Sequence, residues 1–268
     1  MRKIILIFSA FIVFIIGIIL LLSTIGENEE VNIHFLGIND ADAIIIETIN
    51  NIVMIDTGRR RNQEEIISKL ESLNVGTINY LILTHPDNDH IGNASYLIEN
   101  YNVLNVIQSA FYRGTELQQE LNDTIKSIDL NNIIVENIHE FSVDNLYFTI
   151  YPAPSPNEWG SNNNSLVTIV TYDKINMFFG GDIQRSRTEV ILTYDLPRIH
   201  LMKMPHHGRY NGASSRLINT LRPEHAVITS DVIEERMEDA LNSIGSLIHV
   251  TKDTNISFTT NGRIIRVN

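Results

Sequence analysis

The apolar run Tyr80-Leu81-Ile82-Leu83 leads directly into Thr84-His85-Pro86-Asp87-Asn88-Asp89-His90, so two imidazoles and two carboxylates fall within one short Pro-containing turn. A strand that ends in such a turn can aim His85 and Asp87 at one point and Asp89 and His90 at a second point close by. Oxygen and imidazole ligands converging from one side are what a hard or borderline divalent ion requires. The competing reading is an ordinary solvated turn rich in Asp and Asn. Three further segments decide against it. Ile52-Val53-Met54-Ile55 ends in Asp56-Thr57-Gly58, Ile175 to Phe179 ends in Gly180-Gly181-Asp182, and Ile199 to Met204 ends in Pro205-His206-His207-Gly208. Four apolar runs that each deliver a carboxylate or imidazole at the carboxyl end point to one shared site on the rim of a sheet.

Periodicity places strands at about 31 to 36, 43 to 48, 52 to 56 and 79 to 84. A helix between Gln63 and Leu73 carries Ile66, Ile67, Leu70 and Leu73 at helical spacing. The second half repeats the style, with strands at 146 to 151, 166 to 171, 174 to 179, 199 to 204 and 226 to 229 and a helix near 234 to 244. Closing strands fall at 256 to 260 and 263 to 267, joined by the hairpin signature Thr260-Asn261-Gly262-Arg263. The stretch Pro152 to Gly160, with the lone Trp159, is read as an irregular loop whose Trp packs on the surface. Alone, this pattern states only a mixed α/β chain. No Ser-His-Asp order, P-loop or dinucleotide fingerprint competes with the metal motifs.

The order Asp56-Thr57-Gly58, His85-x-Asp87-x-Asp89-His90, Gly180-Gly181-Asp182, His206-His207-Gly208 resembles the metallo-β-lactamase superfamily of hydrolases. Val31 to Leu36, the Asp42-Ala43 pair, Thr84 to Gly92, Asn164-Ser165-Leu166-Val167 and Pro205 to Gly208 resemble more closely the extracellular hydrolase domain of the competence DNA channel ComEC. The resemblance covers essentially the whole chain after residue 30 and implies an αββα sandwich of two mixed β-sheets with a metal site at the sheet edge. It implies a first metal position with His85, Asp87 and bridging Asp182, and a second with Asp89, His90, Asp182 and His207. Asp56 is then a supporting residue behind the ligands.

Two departures from the wider superfamily bear on the metal. Asp87 stands where the usual turn has a second His, as in the ComEC branch. The histidine normally found between the turn and the bridging Asp is missing, since His139 matches no motif and Asn162-Asn163-Asn164-Ser165 takes its place. With no cysteine in the chain, one or two divalent ions would rest on His, Asp and solvent, and the oxygen-rich set shifts preference from zinc towards manganese. Spacing does not choose between His206 and His207. Gly208 favours His207 as ligand, leaving His206 to contact substrate oxygen or donate a proton. Asp89 can orient the attacking water as well as bind metal. Lys203 can reach a phosphate or simply end its strand, and His34, His139, His200, His225 and His249 read as structural.

Arg2-Lys3 precedes an apolar run from Ile4 to Leu22, long enough to cross a bilayer core at roughly 1.5 Å per residue. A cleaved signal peptide has a shorter core and a small-residue cleavage site. Residues 1–26 are therefore expected to be an uncleaved single-pass anchor, with a signal peptide as the alternative, and 27–268 a hydrolase domain. The basic pair before the span and Glu27, Glu29 and Glu30 after it place that domain outside the cell.

Setting Arg2 and Lys3 aside takes the formal net charge from −12 to −14. That balance does not suit a protein that coats duplex DNA, yet Arg59, Arg60, Arg61 and Arg209 lie beside the metal motifs as candidate substrate contacts. Paired divalent ions about 3.5 to 4 Å apart activate water and clamp the oxygens of a phosphoryl transition state. Together with this, the resemblance to the ComEC hydrolase domain implies, as the leading expectation, a phosphodiesterase or nuclease acting on a small phosphodiester or single-stranded nucleic acid. The alternatives are hydrolysis of an ester, lactam or phosphorylated wall component, and a degenerate metal-binding module.

Overall fold

The computed structural model describes residues 29–154 and 160–268. The apolar segment Ile4 to Leu22 and the residue Trp159 lie outside the described residues, and so does the expected membrane anchor. Among the described residues no helix is long and apolar enough to cross a membrane.

The first part of the chain supplies β1 (Val31–Phe35), β2 (Ile44–Glu47), β3 (Ile52–Ile55), β4 (Thr77–Ile78), β5 (Tyr80–Leu83), β6 (Asn102–Val103), β7 (Asn105–Ser109) and β8 (Asn131–Val135). The second part supplies β9 (His139–Val143), β10 (Leu146–Tyr151), β11 (Val167–Tyr172), β12 (Ile175–Phe179), β13 (Leu201–Lys203), β14 (His225–Ile228) and β15 (Leu247–Val250), followed by β16 (Ile256–Thr260) and β17 (Ile265–Val267). Every apolar run expected to be a strand is one, with ends shifted by no more than about two residues, the usual fraying.

An eight-stranded sheet runs in the order β17-β16-β1-β2-β3-β5-β7-β8 and a seven-stranded sheet in the order β15-β14-β13-β12-β11-β10-β9, with β4 and β6 as a separate pair. The closing strands belong to the first sheet: β16 pairs antiparallel with β1, and β17 lies outside it. Phe258 on β16 meets Phe35 of β1 edge to face at 5.9 Å, which anchors the returning strand in the sheet interface.

Both sheets are mixed. Strands β3, β5, β7 and β8 are parallel, as are β12, β13, β14 and β15, while the remaining ladders are antiparallel. Three apolar layers hold the sandwich together, and β2 displays the reason. Ile44 and Ile46 point into the cluster between the sheets with Phe148, Val170 and Phe179, whereas Ile45 points to the outer face. There it packs with Ile66 and Leu70 of α1 (Gln63–Ser72), beneath α2 (Asn88–Ile91), α3 (Ala94–Asn100) and α4 (Glu116–Ser127). The second sheet repeats this alternation. Met177 and Phe179 face inward, and Phe178 faces α5 (Arg185–Ile191), α6 (Ser214–Leu221) and α7 (Glu235–Asn242). Two-sided burial of strands with period-two alternation is what makes four layers out of this chain. The carboxyl ends of the parallel strands of both sheets meet at one end of the sandwich, where ligand sites form in such architectures.

Candidate metal centre

Six strand ends contribute to the centre. The loop after β1 brings Asp42, β3 leads to Asp56, β5 to the turn from Thr84 to His90, β12 to Asp182, β13 to His206 and His207, and β14 to Thr229. The ligand atoms of Asp89, His90, Asp182 and His207 all lie within 4.8 Å of one another. His90 Nε2 is 3.3 Å from Asp182 Oδ1, and His207 Nε2 is 3.3 Å from Asp182 Oδ2 and 3.7 Å from Asp89 Oδ2. The Nε2 atoms of His85, His90 and His207 are buried and have no hydrogen-bond partner. Buried polar atoms are normally satisfied. Two of the three, on His90 and His207, face the carboxylates of Asp182 and Asp89 and fit a divalent cation.

The opposite side of each ring explains why Nε2 is left free. His90 Nδ1 donates to Asp56 Oδ2 at 2.7 Å, and Asp56 accepts from the Thr84 amide at 2.8 Å and the Thr84 hydroxyl at 2.7 Å. Thr229 Oγ1 donates to Asp42 Oδ1 at 2.7 Å, so it accepts from His207 Nδ1 at 3.1 Å. Ser165 Oγ donates to the Asn162 carbonyl at 2.7 Å and accepts from His85 Nδ1 at 3.2 Å. With these hydroxyl protons committed elsewhere, each ring carries a hydrogen on Nδ1 and presents Nε2 to the centre, the arrangement that orients metal-ligating imidazoles.

Lys203 lies behind the donors and is 1% exposed. Its Nζ ion-pairs with Asp42 Oδ2, donates to the Gly181 carbonyl at 3.0 Å and lies 3.5 Å from Asp182 Oδ1. A phosphate contact by this residue is thereby ruled out, because the ammonium is consumed in neutralising two buried carboxylates. Burial opposes ionisation of Asp42 and Asp182, yet both are held below the usual carboxylate range, Asp42 chiefly by Lys203 and His207 and Asp182 chiefly by His207 and His90. Burial likewise opposes ionisation of Asp89, but hydrogen bonding to His207 and the charge of His90 bring it down to about 2. Burial would lower both of the facing imidazoles. The carboxylates of Asp182 and Asp56 nonetheless raise His90 well above its ordinary value, and those of Asp182 and Asp42 raise His207 to about 10. His85 is pushed down to about 4 by burial and by the charge of His90.

Backbone geometry separates the two adjacent histidines. His206, His207 and Gly208 all have positive φ, at 52°, 54° and 86°. Left-handed backbone costs a non-glycine residue roughly 1–2 kcal/mol, and strain of this kind collects at functional sites. Glycine suits position 208, since its φ is +86° and a Cβ there would crowd the Ile228 side chain at 2.5 Å. The turn carries the buried His207 into the donor cluster and leaves His206 at the lip. His206 Nε2 is 3.3 Å from Asn162 Nδ2, and Nδ1 is 3.5 Å from Gln184 Nε2. Burial lowers the pKa of His206. It borders an open groove of about 440 Å³ shared with Asn163, Gln184, Arg185, Arg209 and Tyr210.

The remaining expected residues fall into three groups. The His85 ring lies tilted against His90 at 4.1 Å between ring centroids, and its Nε2 is 3.8 Å from Asp87 Oδ2, but neither His85 nor Asp87 joins the tight four-donor set. Arg59 belongs to the centre's wall, donating to Asp89 Oδ2 at 3.0 Å and to the Asp40 carbonyl at 2.6 Å. Arg209 approaches Asp40 Oδ2 at 3.7 Å, Arg60 turns away to Glu120, and Arg61 is exposed. Sequence reasoning missed Thr84, Ser165 and Thr229 as supports for the rings and Arg113 as the partner of Asp87 at 2.5 Å. Asp42 entered only through the Asp42-Ala43 resemblance, which was the available signal for its place behind His207. The other histidines stand apart. His34 bonds Ser257, His200 accepts from the Asn176 amide, and His225 pairs with His249 at 3.0 Å against Phe258.

Residues 36–144 match the family model described as the metallo-beta-lactamase superfamily. That stretch, under half of the chain, is thus similar to a metallo-beta-lactamase domain. It is similar to ComE operon protein 3 of Bacillus subtilis, at 22% identity over 63% of this chain and 22% of that protein. It is also similar to Recombination protein 2 of Haemophilus influenzae, at 24% identity over 80% of this chain and 26% of that protein. The chain thus spans about a quarter of the length of the curated relatives it matches. Among solved structures, the metallo-beta-lactamase fold protein YhfI of Bacillus subtilis superposes with a TM-score of 0.58 at 10% identity, over 86% of this chain and 99% of YhfI. A CmlA beta-hydroxylase mutant also reaches 0.58, at 9% identity over 86% of this chain and 53% of its own. These likenesses show the fold, which by itself hosts more than one chemistry.

The protonated rings make metal affinity depend on pH. A group raised to about 10, as His207 is, holds its proton throughout the neutral range and must release it before Nε2 can ligate. Manganese affinity should therefore weaken as pH falls from about 8 to about 6, by on the order of tenfold per unit for each proton displaced. Titration calorimetry in buffers of different ionisation enthalpy would count the protons, and an affinity flat with pH would contradict this account.

Proposed function

We propose that the chain is a metal-dependent hydrolase of phosphodiester bonds in nucleotides or short single-stranded nucleic acid, held at the cell membrane by Ile4 to Leu22 with its domain outside the cell. The carrying observation is the convergence of Asp89, His90, Asp182 and His207, with the orphaned Nε2 atoms of His90 and His207, beside a groove bordered by His206 and Arg209. A divalent ion held by those residues would supply Lewis acidity and an activated water. Manganese is favoured over zinc by the two carboxylates and the absence of any thiolate among the donors.

The chain's own groups divide the remaining work. Arg59 steers Asp89 through a 3.0 Å contact and keeps one of its oxygens fixed. His206, its pKa lowered by burial at the groove lip, can donate a ring N–H hydrogen bond to a substrate oxygen. Arg209 and Arg185 flank the groove as contacts for a non-reacting phosphate oxygen. The resemblance to the competence channel's hydrolase domain, and likeness to a ComE operon protein and a recombination protein, support nucleic acid as the source of the diester.

Substrate length follows from charge. Arg59, Arg60 and Arg209 already face Asp89, Glu120 and Asp40, and the formal net charge of the whole chain is −12. Pre-paired arginines on an acidic domain favour a short diester over a long duplex, whose binding would rest on many free cations.

The purified chain, assayed with manganese and with zinc against bis-p-nitrophenyl phosphate, single-stranded DNA and a chromogenic lactam, should cleave the diesters with manganese. Asp182→Ala and His90→Ala should each lose at least about a hundredfold in turnover. High salt should slow the short diester little. A metal-loaded protein that opens the lactam or an ester and leaves both diesters intact would move the assignment to that chemistry. Protease shaving of intact cells should release the domain, and its recovery intact from the cytosol would refute the outward topology.

A further inference from the structure

The four-donor set leaves Asp87 and His85 outside, and the reason is visible around Asp87. Its Oδ1 receives Arg113 Nη1 at 2.5 Å together with the hydroxyl of Ser161. Its Oδ2 faces His85 Nε2 only at 3.8 Å. Asp182, the residue that would have to bridge two ions, directs Oδ1 towards His90 and Lys203 and Oδ2 towards His207. Beside Asp87 there remain one imidazole nitrogen and one carboxylate oxygen, and protein sites for divalent ions normally supply three or more donors.

Arg113 is presented by a built loop. The buried Gln118 side chain accepts from the Arg113 amide at 2.8 Å and the Gly114 amide at 3.1 Å, and donates to the Phe111 carbonyl at 3.0 Å. The Arg113 side chain is 47% exposed, so one edge of the guanidinium is committed to Asp87 while the rest of the fork reaches solvent. A guanidinium stays charged at any working pH and suits two phosphate oxygens at once.

We propose that the centre takes a single divalent ion on Asp89, His90, Asp182 and His207, and that Arg113 occupies the position beside Asp87 in place of a second ion, its free edge receiving an anionic oxygen of the substrate. The substrate half of this inference rests on the phosphodiester reading, and the ion count does not. Equilibrium dialysis against manganese alone, with metal analysis of the full chain, should give one ion per chain. Arg113→Ala releases Asp87 and should raise the count towards two. Calorimetric binding of dimethyl phosphate to the manganese-loaded protein should weaken by on the order of tenfold in Arg113→Ala and less in Arg113→Lys, which keeps the charge without the fork. Thermal unfolding of the variants checks that the exposed loop change leaves the fold intact. Two ions in the wild type, or an Arg113→Ala protein with one ion and unaltered diester binding, would overturn the proposal. A wild type with one ion, a rise in Arg113→Ala and no diester hydrolysis would instead sink the proposed activity and leave the ion count standing.

Discussion

Compensation of buried negative charge is the constraint on which the rest of this structure depends. Asp42, Asp56 and Asp182 are each almost completely buried at one end of the sandwich. Unpaired, each would cost several kcal/mol. Lys203 answers Asp42 and Asp182, and His90 answers Asp56 and Asp182. His207 is shared between Asp42 and Asp182. These partners come from both sheets. Asp42 and Asp56 follow strands of the first sheet, while Asp182, Lys203, His207 and Thr229 lie on or after strands of the second. The network therefore closes only when the sheets stack, and the stacking is secured by apolar side chains well away from it, such as Phe148, Val170 and Phe258.

Charge compensation also separates a permanent part of the centre from an exchangeable one. Lys203 is enclosed and stays with Asp42. The protons on His90 and His207 occupy Nε2 positions that face the donor cluster, so a divalent ion and those protons compete for the same lone pairs. The left-handed turn at His206 and His207 belongs to the same arrangement. It is an unfavourable backbone that places one ring in the buried network and its neighbour at the groove.

Much of this was legible in the sequence because it is written locally. Apolar runs such as Ile52 to Ile55 and Ile175 to Phe179 marked strands, and the turn and glycine motifs at their ends marked the rim. The polar strands β8 and β9 escaped, since Asn131-Asn132-Ile133 and His139-Glu140-Phe141 carry little periodic apolar signal at the edges of their sheets. The helices Ser214–Leu221 and Glu116–Ser127 had amphipathic spacing that went unread. What could not be read was non-local. Lys203 looks like a phosphate ligand until Asp42, from the other sheet, encloses it. Arg113 sits in a loop without a motif, and its role appears only once β7 lies beside β5 and brings the loop to Asp87. Likewise Arg59 and Arg209 look like free cations in sequence and are engaged in the fold.

Ligation of one ion by both His90 and His207 through Nε2 is the central proposal for this centre. X-ray absorption fine structure of the protein loaded with one equivalent of manganese or zinc measures that directly. Two imidazole rings with nitrogen at about 2.0–2.2 Å, accompanied by carboxylate oxygens, are the expected shell, with one ring lost in His207→Ala. A shell of oxygen alone, or an imidazole contribution unaltered in His207→Ala, would contradict it.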